Sequence, residues 1–381
     1  MNVASTSHAE YAFQIVATEG KARTGILHTA HGIMETPAFM AVGTAASVKA
    51  MTADAVRSTG CQCVLANTYH LMLRPGADQI AALGGIHRFM DWQGPILTDS
   101  GGFQVMSLAA LRKIDRDGVT FQSHIDGSRH RLTPAICMDH QYKFGSTITM
   151  VLDECKSFPA TYEETEASVL MSMRWADLAR QAFKSRPGYA LFGIVQGGTY
   201  RDLRRRSVDA LKDIQFDGYA VGGLAVGEGQ AAMLDILDGT VPHLPYHAPR
   251  YLMGVGTPDD ILNAVERGID MFDCVIPTRA GRTARAYTSA GVYNLRNAGF
   301  AGDTRPIDAS CGCPACTKHS RGYIHHLFRA GEMLGPMLLT WHNLTYYQNL
   351  MRNIRTAIRE GKFSALAASL RAGLAMQEGR T

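Results

Sequence analysis

The chain has 381 residues, of which 46% are hydrophobic and 19% charged, with a formal net charge of +4; this fits two or three domains or one α/β barrel with insertions. No apolar run reaches the roughly 18 residues that a membrane-spanning helix needs, so the sequence predicts no membrane span. The N-terminal segment lacks a basic stretch followed by an apolar one, so we expect no signal peptide and a cytoplasmic protein whose eight cysteines are not disulfide-bonded.

Eight short apolar segments that end in small or polar residues recur over the first 280 residues. They are PAFMAVGT (37–44), CQCVLANT (61–68), PILTDSGG (95–102), TITMVLDEC (147–155), LFGIVQG (191–197), GYAVGGLAV (218–226), RYLMGVG (250–256) and MFDCVIPT (271–278). Helix-length stretches lie between most of them, and continuous apolar strands that alternate with helices predict a parallel sheet buried on both faces. Eight such units match the count of a (β/α)8 TIM barrel. The alternative is a doubly wound open sheet, although neither nucleotide-binding glycine motif accompanies these strands.

Two insertions interrupt this pattern. Residues 119–132 alternate around Asp126-Gly127 and predict a β-hairpin between strands three and four. Residues 280–342 follow strand eight and contain a second predicted hairpin, RAYTSAGVYNLRN. A long helical pattern over 341–374 then closes the barrel.

Three cysteines in the second insertion, Cys311, Cys313 and Cys316, fall within six residues and are typical of a zinc site. Tetrahedral zinc needs a fourth ligand, and the candidates are His319, His325, His326 and His342. His319 is three residues from Cys316, which is too close for it to fold back comfortably. Four protein ligands leave no position for water, so we expect a structural ion.

The expected fold is therefore α/β: a (β/α)8 barrel with an N-terminal β extension and a zinc-binding subdomain inserted after strand eight. The predicted domains are residues 1–279 plus 343–381 for the barrel with its closing helix, and residues 280–342 for the zinc-binding subdomain.

Charge is distributed unevenly along the chain. Residues 279–381 hold 14 Lys and Arg against 5 Asp and Glu, whereas the preceding residues hold 24 against 29. A basic C-terminal part on an acidic body indicates a polyanionic partner, and ordinary solvated basic helices are the alternative.

The carboxyl ends of barrel strands are where catalytic groups lie. Those ends carry Asp99, Asp153, Cys155, Gln196, Gly223, Gly254, Gly256 and Asp273. One aspartate in an apolar segment could be a structural group or a cap, but three on one face favour a shared site. Two facing carboxylates suit displacement at the anomeric carbon of a sugar, and a third beside an amide suits recognition of a purine-like edge.

Several motifs in sequence order resemble bacterial tRNA-guanine transglycosylases. They are TDSGGFQVMSL (98–108), DEC (153–155), GIVQGG (193–198), GYAVGGLAVGE (218–228), MGVGTPDD (253–260), FDCVIPTRAGR (272–282) and CGCPAC (311–316) with a helical histidine downstream. The resemblance runs from about residue 10 to residue 375. It implies a pentosyltransferase that exchanges guanine at the wobble position of U-G-U anticodon tRNAs for a 7-deazaguanine, in queuosine biosynthesis.

The resemblance assigns the site residues. It makes Asp273 the nucleophile and Asp99 the general acid/base, and His342 the fourth ligand of one structural Zn²⁺ per chain. Implied substrate-binding residues are Ser100, Gly101, Gly102, Phe103, Asp153, Cys155, Gln196, Gly223, Leu224 and Met253. Implied RNA-binding residues are Gly254, Val255, Gly256, Thr257, Pro258, Asp259, Asp260, Thr278, Arg279, Ala280, Gly281 and Arg282.

The resemblance also implies the partners, which are the anticodon loop of tRNA, guanine and a 7-deazaguanine base, in a homodimer. It makes residues 280–342 the tRNA-docking subdomain. Cys155 and residues 224–228 (LAVGE) match the residues found in bacterial members of the family, which use the aminomethyl precursor as the incoming base. The amine of that base could be bound by the Leu224 carbonyl, with Glu228 as a nearby counter-charge.

Three rival interpretations compete with this one. Ser100 lies in a DSGG motif like that of trypsin-like proteases, but that fold is all-β. A metal-dependent barrel hydrolase needs an HxH pair at the end of strand one, where this chain reads AVGT. A non-catalytic RNA-binding paralogue tends to lose catalytic positions, whereas Asp99, Asp153 and Asp273 are all present here.

Overall fold

A computed structural model describes residues 10–108 and 111–378, of which the side chains up to Ala372 are described. The strands of this part of the chain are β1 (Ala12–Glu19), β2 (Ala22–Thr29), β3 (Gly32–Thr36), β4 (Ala38–Val42), β5 (Val64–Ala66), β6 (Ile96–Thr98), β7 (Arg112–Asp115), β8 (Gly118–Gln122), β9 (Arg129–Leu132), β10 (Ile148–Met150), β11 (Ala190–Val195), β12 (Gly218–Val221), β13 (Arg250–Leu252), β14 (Met271–Asp273), β15 (Arg285–Thr288) and β16 (Gly291–Asn294).

The α-helices are α1 (Ala53–Ser58), α2 (Thr68–Leu73), α3 (Ala77–Ala82), α4 (Gly85–Met90), α5 (Gly102–Leu108), α6 (Pro134–Phe144), α7 (Tyr162–Ala182), α8 (Arg201–Ile214), α9 (Gln230–Thr240), α10 (Pro258–Glu266), α11 (Ile276–Arg282), α12 (Pro314–Lys318), α13 (Arg321–Ala330), α14 (Leu334–Arg359) and α15 (Phe363–Glu378). Short 3-10 helices cover Val241–His243 and Ala298–Phe300. None of the helices in the described ranges is long and apolar enough to cross a membrane.

The eight predicted strands form a closed parallel barrel. Its order is β4-β5-β6-β10-β11-β12-β13-β14, and β14 pairs with β4 to close it. Every residue of β11 and β12 is buried, because the barrel interior covers one face and helices cover the other. The (β/α)8 prediction is confirmed, and the open-sheet alternative is wrong.

The N-terminal β extension is an antiparallel sheet, β1-β2-β3, at the end of the barrel opposite the strand ends that carry the site. A buried ion pair fixes it there: Arg23 donates to both carboxylate oxygens of Asp270, at 2.9 and 2.5 Å. Because Asp270 directly precedes β14, this pair lies at the amino end of that strand. The extension therefore closes the bottom of the barrel and leaves its mouth open.

The insertion after strand three is a three-stranded antiparallel sheet, β7-β8-β9. The predicted hairpin corresponds to β8 and β9, whereas β7 was not predicted. The loop at its tip reaches back to the barrel mouth, where the Tyr69 hydroxyl lies 2.8 Å from Nδ1 of His124.

The insertion after strand eight contains the predicted hairpin as β15 and β16. Helix α14 anchors this insertion to the barrel, because Asn343 donates to the carbonyls of Pro277 and Arg285 and accepts from Tyr287 N–H. The helix begins at Leu334 and thus crosses the proposed domain boundary between residues 342 and 343. A break at residues 360–362 separates it from α15, where the sequence had indicated one continuous pattern.

Candidate active site

The carboxyl ends of the barrel strands bring the predicted site residues to one mouth. Asp99 directly follows β6, Gln196 directly follows β11, and Asp273 is the last residue of β14. Asp153 and Gly223 lie in the segments that leave β10 and β12. Because parallel strands of a closed barrel end at the same face, these five positions surround a single opening.

Asp99 is buried and accepts hydrogen bonds from two neighbours on the segment after β5. Asn67 donates its amide to one carboxylate oxygen, and the N–H of Thr68 donates to the other at 2.8 Å. The pKa of Asp99 is nevertheless raised to about 6, mainly by burial and to a lesser extent by the charge of Asp273, against the lowering effect of these hydrogen bonds. A carboxylate with this pKa can both release and accept a proton near neutral pH.

Asp153 is the centre of a second buried network. Its carboxylate accepts from the Gln196 amide at 2.7 Å and from the Ser100 hydroxyl at 3.2 Å. Burial raises the pKa of Asp153 to about 6 against these hydrogen bonds. Gly102 is required beside it, because a Cβ on Gly102 would lie 2.5 Å from the Asp153 carbonyl.

The hydrogen bonds of Ser100 in this network argue against the serine-hydrolase interpretation. Ser100 accepts from the N–H of Gly102 and donates to Asp153. In the described ranges no histidine is hydrogen-bonded to it, so it lacks the base that activates a catalytic serine.

Asp273 is partly buried at the mouth, and one of its carboxylate oxygens accepts two hydrogen bonds. The hydroxyl of Tyr251 donates to Oδ1 at 2.5 Å, and Gly254 N–H donates to the same atom at 2.7 Å. Burial raises the pKa of Asp273 above the usual range of an aspartate, and both hydrogen bonds oppose that rise. The other oxygen, Oδ2, has no hydrogen-bond donor in the described chain, so it is free to attack an electrophile.

The loop after β12 lies beside Asp153 and Gln196. Gly223 has φ +63°, and a Cβ there would meet Oε1 of Gln196 at 2.4 Å, so only glycine fits. Glu228 folds back and accepts from the N–H groups of Ala225 and Val226. The loop is thus held by its own carboxylate.

Cys155 and Leu224 are both buried beside this loop. Burial raises the pKa of Cys155 to about 12, so the side chain is a neutral thiol at physiological pH and not a nucleophile.

Two further predicted substrate contacts differ in exposure. Phe103, at the start of α5, is 52% exposed, so its ring is available to stack on a ligand. Met253 directly follows β13 and is partly buried against the core.

Residues 254–260, predicted to bind RNA, form the turn into α10. Thr257 and Asp260 cap that helix reciprocally, and Gln230 donates to the carboxylates of Asp259 and Asp260. Val255 and Pro258 are buried, so their side chains are not available to a ligand.

Residues 278–282, also predicted to bind RNA, lie on α11 directly after Asp273. Thr278, Ala280 and Gly281 are buried against α14, whereas Arg279 is exposed. Arg282 is half-buried, and its Nη1 has no partner in the described chain. Burial lowers the pKa of Arg282, and the neighbouring Arg279 lowers it further. Within residues 10–108 and 111–378 neither arginine is paired with an acid, so the two are suited to bind phosphate beside the mouth.

The cysteine cluster and His342 form a compact group. The ligand atoms of Cys311, Cys313, Cys316 and His342 all lie within 4.8 Å of one another. Nδ1 of His342 is 3.2 Å from the sulfur of Cys316 and 3.7 Å from that of Cys313, while Nε2 lies 2.7 Å from the Tyr287 carbonyl. Tetrahedral zinc, with bonds of about 2.3 Å to sulfur, needs ligand separations of this size. Of the four candidate histidines, His342 is the one that belongs to this group.

Sequence reasoning did not single out three residues of the site. Asn67 and Gln104 both hydrogen-bond Asp99, and Tyr251 holds Asp273. Asn67 is a polar residue at a strand end and could have been found by that signal. Tyr251 lies inside a strand, where an aromatic residue gives no such signal.

Comparison with known proteins adds a consistent result. The family model described as queuine tRNA-ribosyltransferase matches residues 18–375. The chain is 70% identical over 359 residues to the queuine tRNA-ribosyltransferase of Granulibacter bethesdensis, which covers 94% of this chain and 95% of that protein. It is 57% identical over 371 residues to the protein of that name from Zymomonas mobilis, with 96% of each chain covered.

Proposed function

The chain belongs to the queuine tRNA-ribosyltransferase family, and we propose that it is a tRNA-guanine transglycosylase that exchanges guanine in tRNA for a 7-deazaguanine. The observation that carries the proposal is the pairing of a hydrogen-bonded nucleophile, Asp273, with a proton-transfer group, Asp99, at one barrel mouth. The rival paralogue would lack such a pair.

The reaction we propose is a double displacement. Oδ2 of Asp273 attacks C1′ of the target ribose, the bond from C1′ to guanine N9 breaks, and Asp99 supplies the proton that leaves with guanine. The tRNA stays joined to Asp273 as an ester. The incoming base then loses its N9 proton to Asp99, attacks C1′ and releases Asp273 as a carboxylate. Because one glycosidic bond replaces another, the exchange needs neither ATP nor a redox cofactor.

The second buried network recognises the base. The carboxylate of Asp153 can accept from the ring N–H and exocyclic amine of a guanine-type edge, and Gln196 and the Gly223 N–H can donate to its carbonyl. Phe103 and Met253 pack on the two faces of the base.

We propose the aminomethyl deazaguanine as the incoming base. Because Glu228 binds the N–H of Ala225, the Leu224 carbonyl of the same peptide points away from Glu228 and can accept from an amine. Equal kcat/KM with queuine and the aminomethyl base would show that this assignment is wrong.

The RNA docks beside Asp273. Arg279 and Arg282 are the phosphate contacts that we propose, and residues 254–260 approach the anticodon loop mainly through backbone groups. The target is guanine at the wobble position in a U-G-U context. We also propose the cytoplasm as the site of the reaction, as the sequence predicts.

The cysteine cluster takes a structural Zn²⁺. Three thiolates and His342 fill a tetrahedral shell, so the ion would hold the insertion in place and supply no catalytic water. We propose a homodimer as well. Met333, Leu334 and Met337 form an exposed apolar segment at the start of α14, which supports association of two chains.

Incorporation of radiolabelled guanine into unmodified bacterial tRNA tests the function. The purified protein should incorporate label without ATP, and Asp273→Ala should not. A wild-type protein that binds tRNA but incorporates no label would favour the non-catalytic paralogue.

A further inference from the structure

Arg204 is a buried cation behind the base-recognition loop. It lies on α8 and its side chain is 0% exposed. Burial lowers its pKa to about 10, which leaves it protonated at neutral pH. No carboxylate in the described chain lies within ion-pair distance of it, although burying an uncompensated charge is costly.

Four backbone carbonyls accept hydrogen bonds from the Arg204 guanidinium in place of a carboxylate. Nε of Arg204 donates to Gly198 at 2.9 Å, Nη1 to Val195 at 3.0 Å and Gly222 at 2.6 Å, and Nη2 to Gly223 at 3.3 Å. Val195 is the last residue of β11, Gly198 lies in the segment that follows it, and Gly222 and Gly223 lie in the segment that follows β12. Four of the five guanidinium N–H groups therefore hold the two strand ends that carry Gln196 and Gly223.

The carbonyl bonds fix the direction of the opposite N–H groups. In a trans peptide the C=O and the following N–H point in opposite directions. The Gly222 and Gly223 carbonyls point to Arg204, so the N–H groups of Gly223 and Leu224 point away from α8. The Gly223 N–H faces the sulfur of Cys155. Burial is the main cause of the raised pKa of Cys155, and the hydrogen bond from this N–H lowers that pKa. Neither N–H has an oxygen acceptor elsewhere in the described residues.

We infer that Arg204 is a positioning residue for base specificity, which aims the Gly223 and Leu224 N–H groups at an exocyclic oxygen of the base. The inference rests on the proposed function and adds the residue that orients its recognition loop. Two N–H groups that are held in place by a fixed cation can both donate to a carbonyl oxygen of the base. An amino group at the same position would face these donors without an acceptor, so the site disfavours it.

The backbone of the loop at Gly222 and Gly223 could adopt other conformations, so its orientation depends on the hydrogen bonds from Arg204. Gly223 has φ +63°, and Gly222 precedes it, so rotation of the peptide between them meets no side-chain barrier. Without Arg204 the carbonyls of Gly222 and Gly223 would lose their donors. The peptide could then turn a carbonyl toward the base, where it would repel guanine O6 and accept from an amine.

The test compares guanine with 2,6-diaminopurine, which carries an amino group in place of O6. Binding of each base to Arg204→Met, Arg204→Lys and wild-type protein is measured by calorimetry, with KM for tRNA and thermal unfolding in parallel. Arg205→Met is the matched control, because Arg205 is adjacent, exposed and bonded to Asp209 and His243.

We expect Arg204→Met to weaken guanine binding by about tenfold or more, with diaminopurine binding and KM for tRNA within about threefold of wild type. Arg204→Lys should be intermediate, because one ammonium cannot reach four carbonyls. Arg205→Met should match wild type.

Equal weakening of both bases, or guanine binding within twofold of wild type in folded Arg204→Met, would overturn the inference. If Arg204→Met does not fold, Arg204→Lys carries the same comparison. Wild-type protein that exchanges no guanine would instead refute the proposed function, and the binding ratio of the variants would still decide the role of Arg204.

Discussion

The hydroxyl of Tyr251 donates to Oδ1 of Asp273 at 2.5 Å, so the proposed nucleophile is held by a residue on the neighbouring barrel strand. The bond leaves Oδ2 for attack and lowers the pKa of Asp273 against the effect of burial.

Tyr251→Phe should therefore slow exchange and shift its pH dependence. Loss of the donor raises the pKa of Asp273, so less of it is ionised at a given pH and the acid limb moves to higher pH. A lost hydrogen bond to a carboxylate predicts kcat lower by about tenfold or more. Single-turnover exchange across pH measures both effects. Tyr347→Phe is the control, since Tyr347 donates to the Gly256 carbonyl and not to an acid; an unchanged acid limb in Tyr251→Phe would contradict the assignment.

Activity and stability should depend on pH in opposite directions. Burial raises the pKa of Asp99 and of Asp153 from 3.8 to about 6. Asp153 must be ionised to accept hydrogen bonds from the base, so exchange should fall as pH drops through about 6, whereas Asp99 must begin protonated to supply the proton that leaves with guanine. The folded state also binds protons that the unfolded state releases, so the stability that these two groups contribute is present below pH 4 and is lost as pH rises toward 6.

Thermal unfolding and exchange measured over pH 4–8 test this opposition. Asp99→Asn should remove part of the pH dependence of unfolding and slow exchange, with tRNA affinity nearly intact. An exchange profile that is flat through pH 6 would contradict the raised pKa values.

Arg279 and Arg282 should account for part of the salt dependence of tRNA binding. Replacing either by Gln removes one phosphate contact, so the slope of log K against log salt should become shallower by about 0.7 to 0.9. Arg305→Gln serves as control, because Arg305 is exposed in the same insertion but is paired with Asp303. Equal slopes in all three variants would place the RNA elsewhere.

Removal of the metal should damage RNA docking more than base binding. The cysteine cluster and His342 hold the insertion after strand eight, whereas the base pocket is built from β10, β11 and β12. Cys316→Ser should lower the zinc content per chain and raise KM for tRNA several-fold, with guanine affinity nearly unchanged. Cys61→Ala, which removes a buried thiol outside the cluster, should retain the metal. A zinc-free Cys316→Ser protein with normal KM for tRNA would refute the structural role.

The strands could be predicted from the sequence because each is a buried apolar run that ends in a polar or small residue. Once the strands are predicted, site residues such as Asp99 and Asp273 can be predicted as well, because a barrel places the carboxyl ends of all its strands at one mouth. His342 could not be chosen by spacing alone, because the spacing allowed His325 and His326 as well. Long-range packing of α14 against the insertion makes the choice.

Arg204 was missed for a physical reason. Four arginines fall within residues 201–206, and a charged run on a helix usually faces solvent. Arg204 shares a helical face with the buried Val208 and Leu211, four and seven residues on, and that periodicity was the available signal. What it could not reveal is the set of carbonyls that receives the guanidinium, because these come from two other strands.

The most direct measurement of the central claim is the site of covalent attachment between the protein and tRNA. The protein is incubated with tRNA, the adduct is isolated under denaturing conditions, and peptide mapping identifies the modified residue. An ester at Asp273 that is absent from Asp273→Ala and still formed by Arg205→Met is the predicted result. An adduct on another residue, or one that persists in Asp273→Ala, would contradict the mechanism.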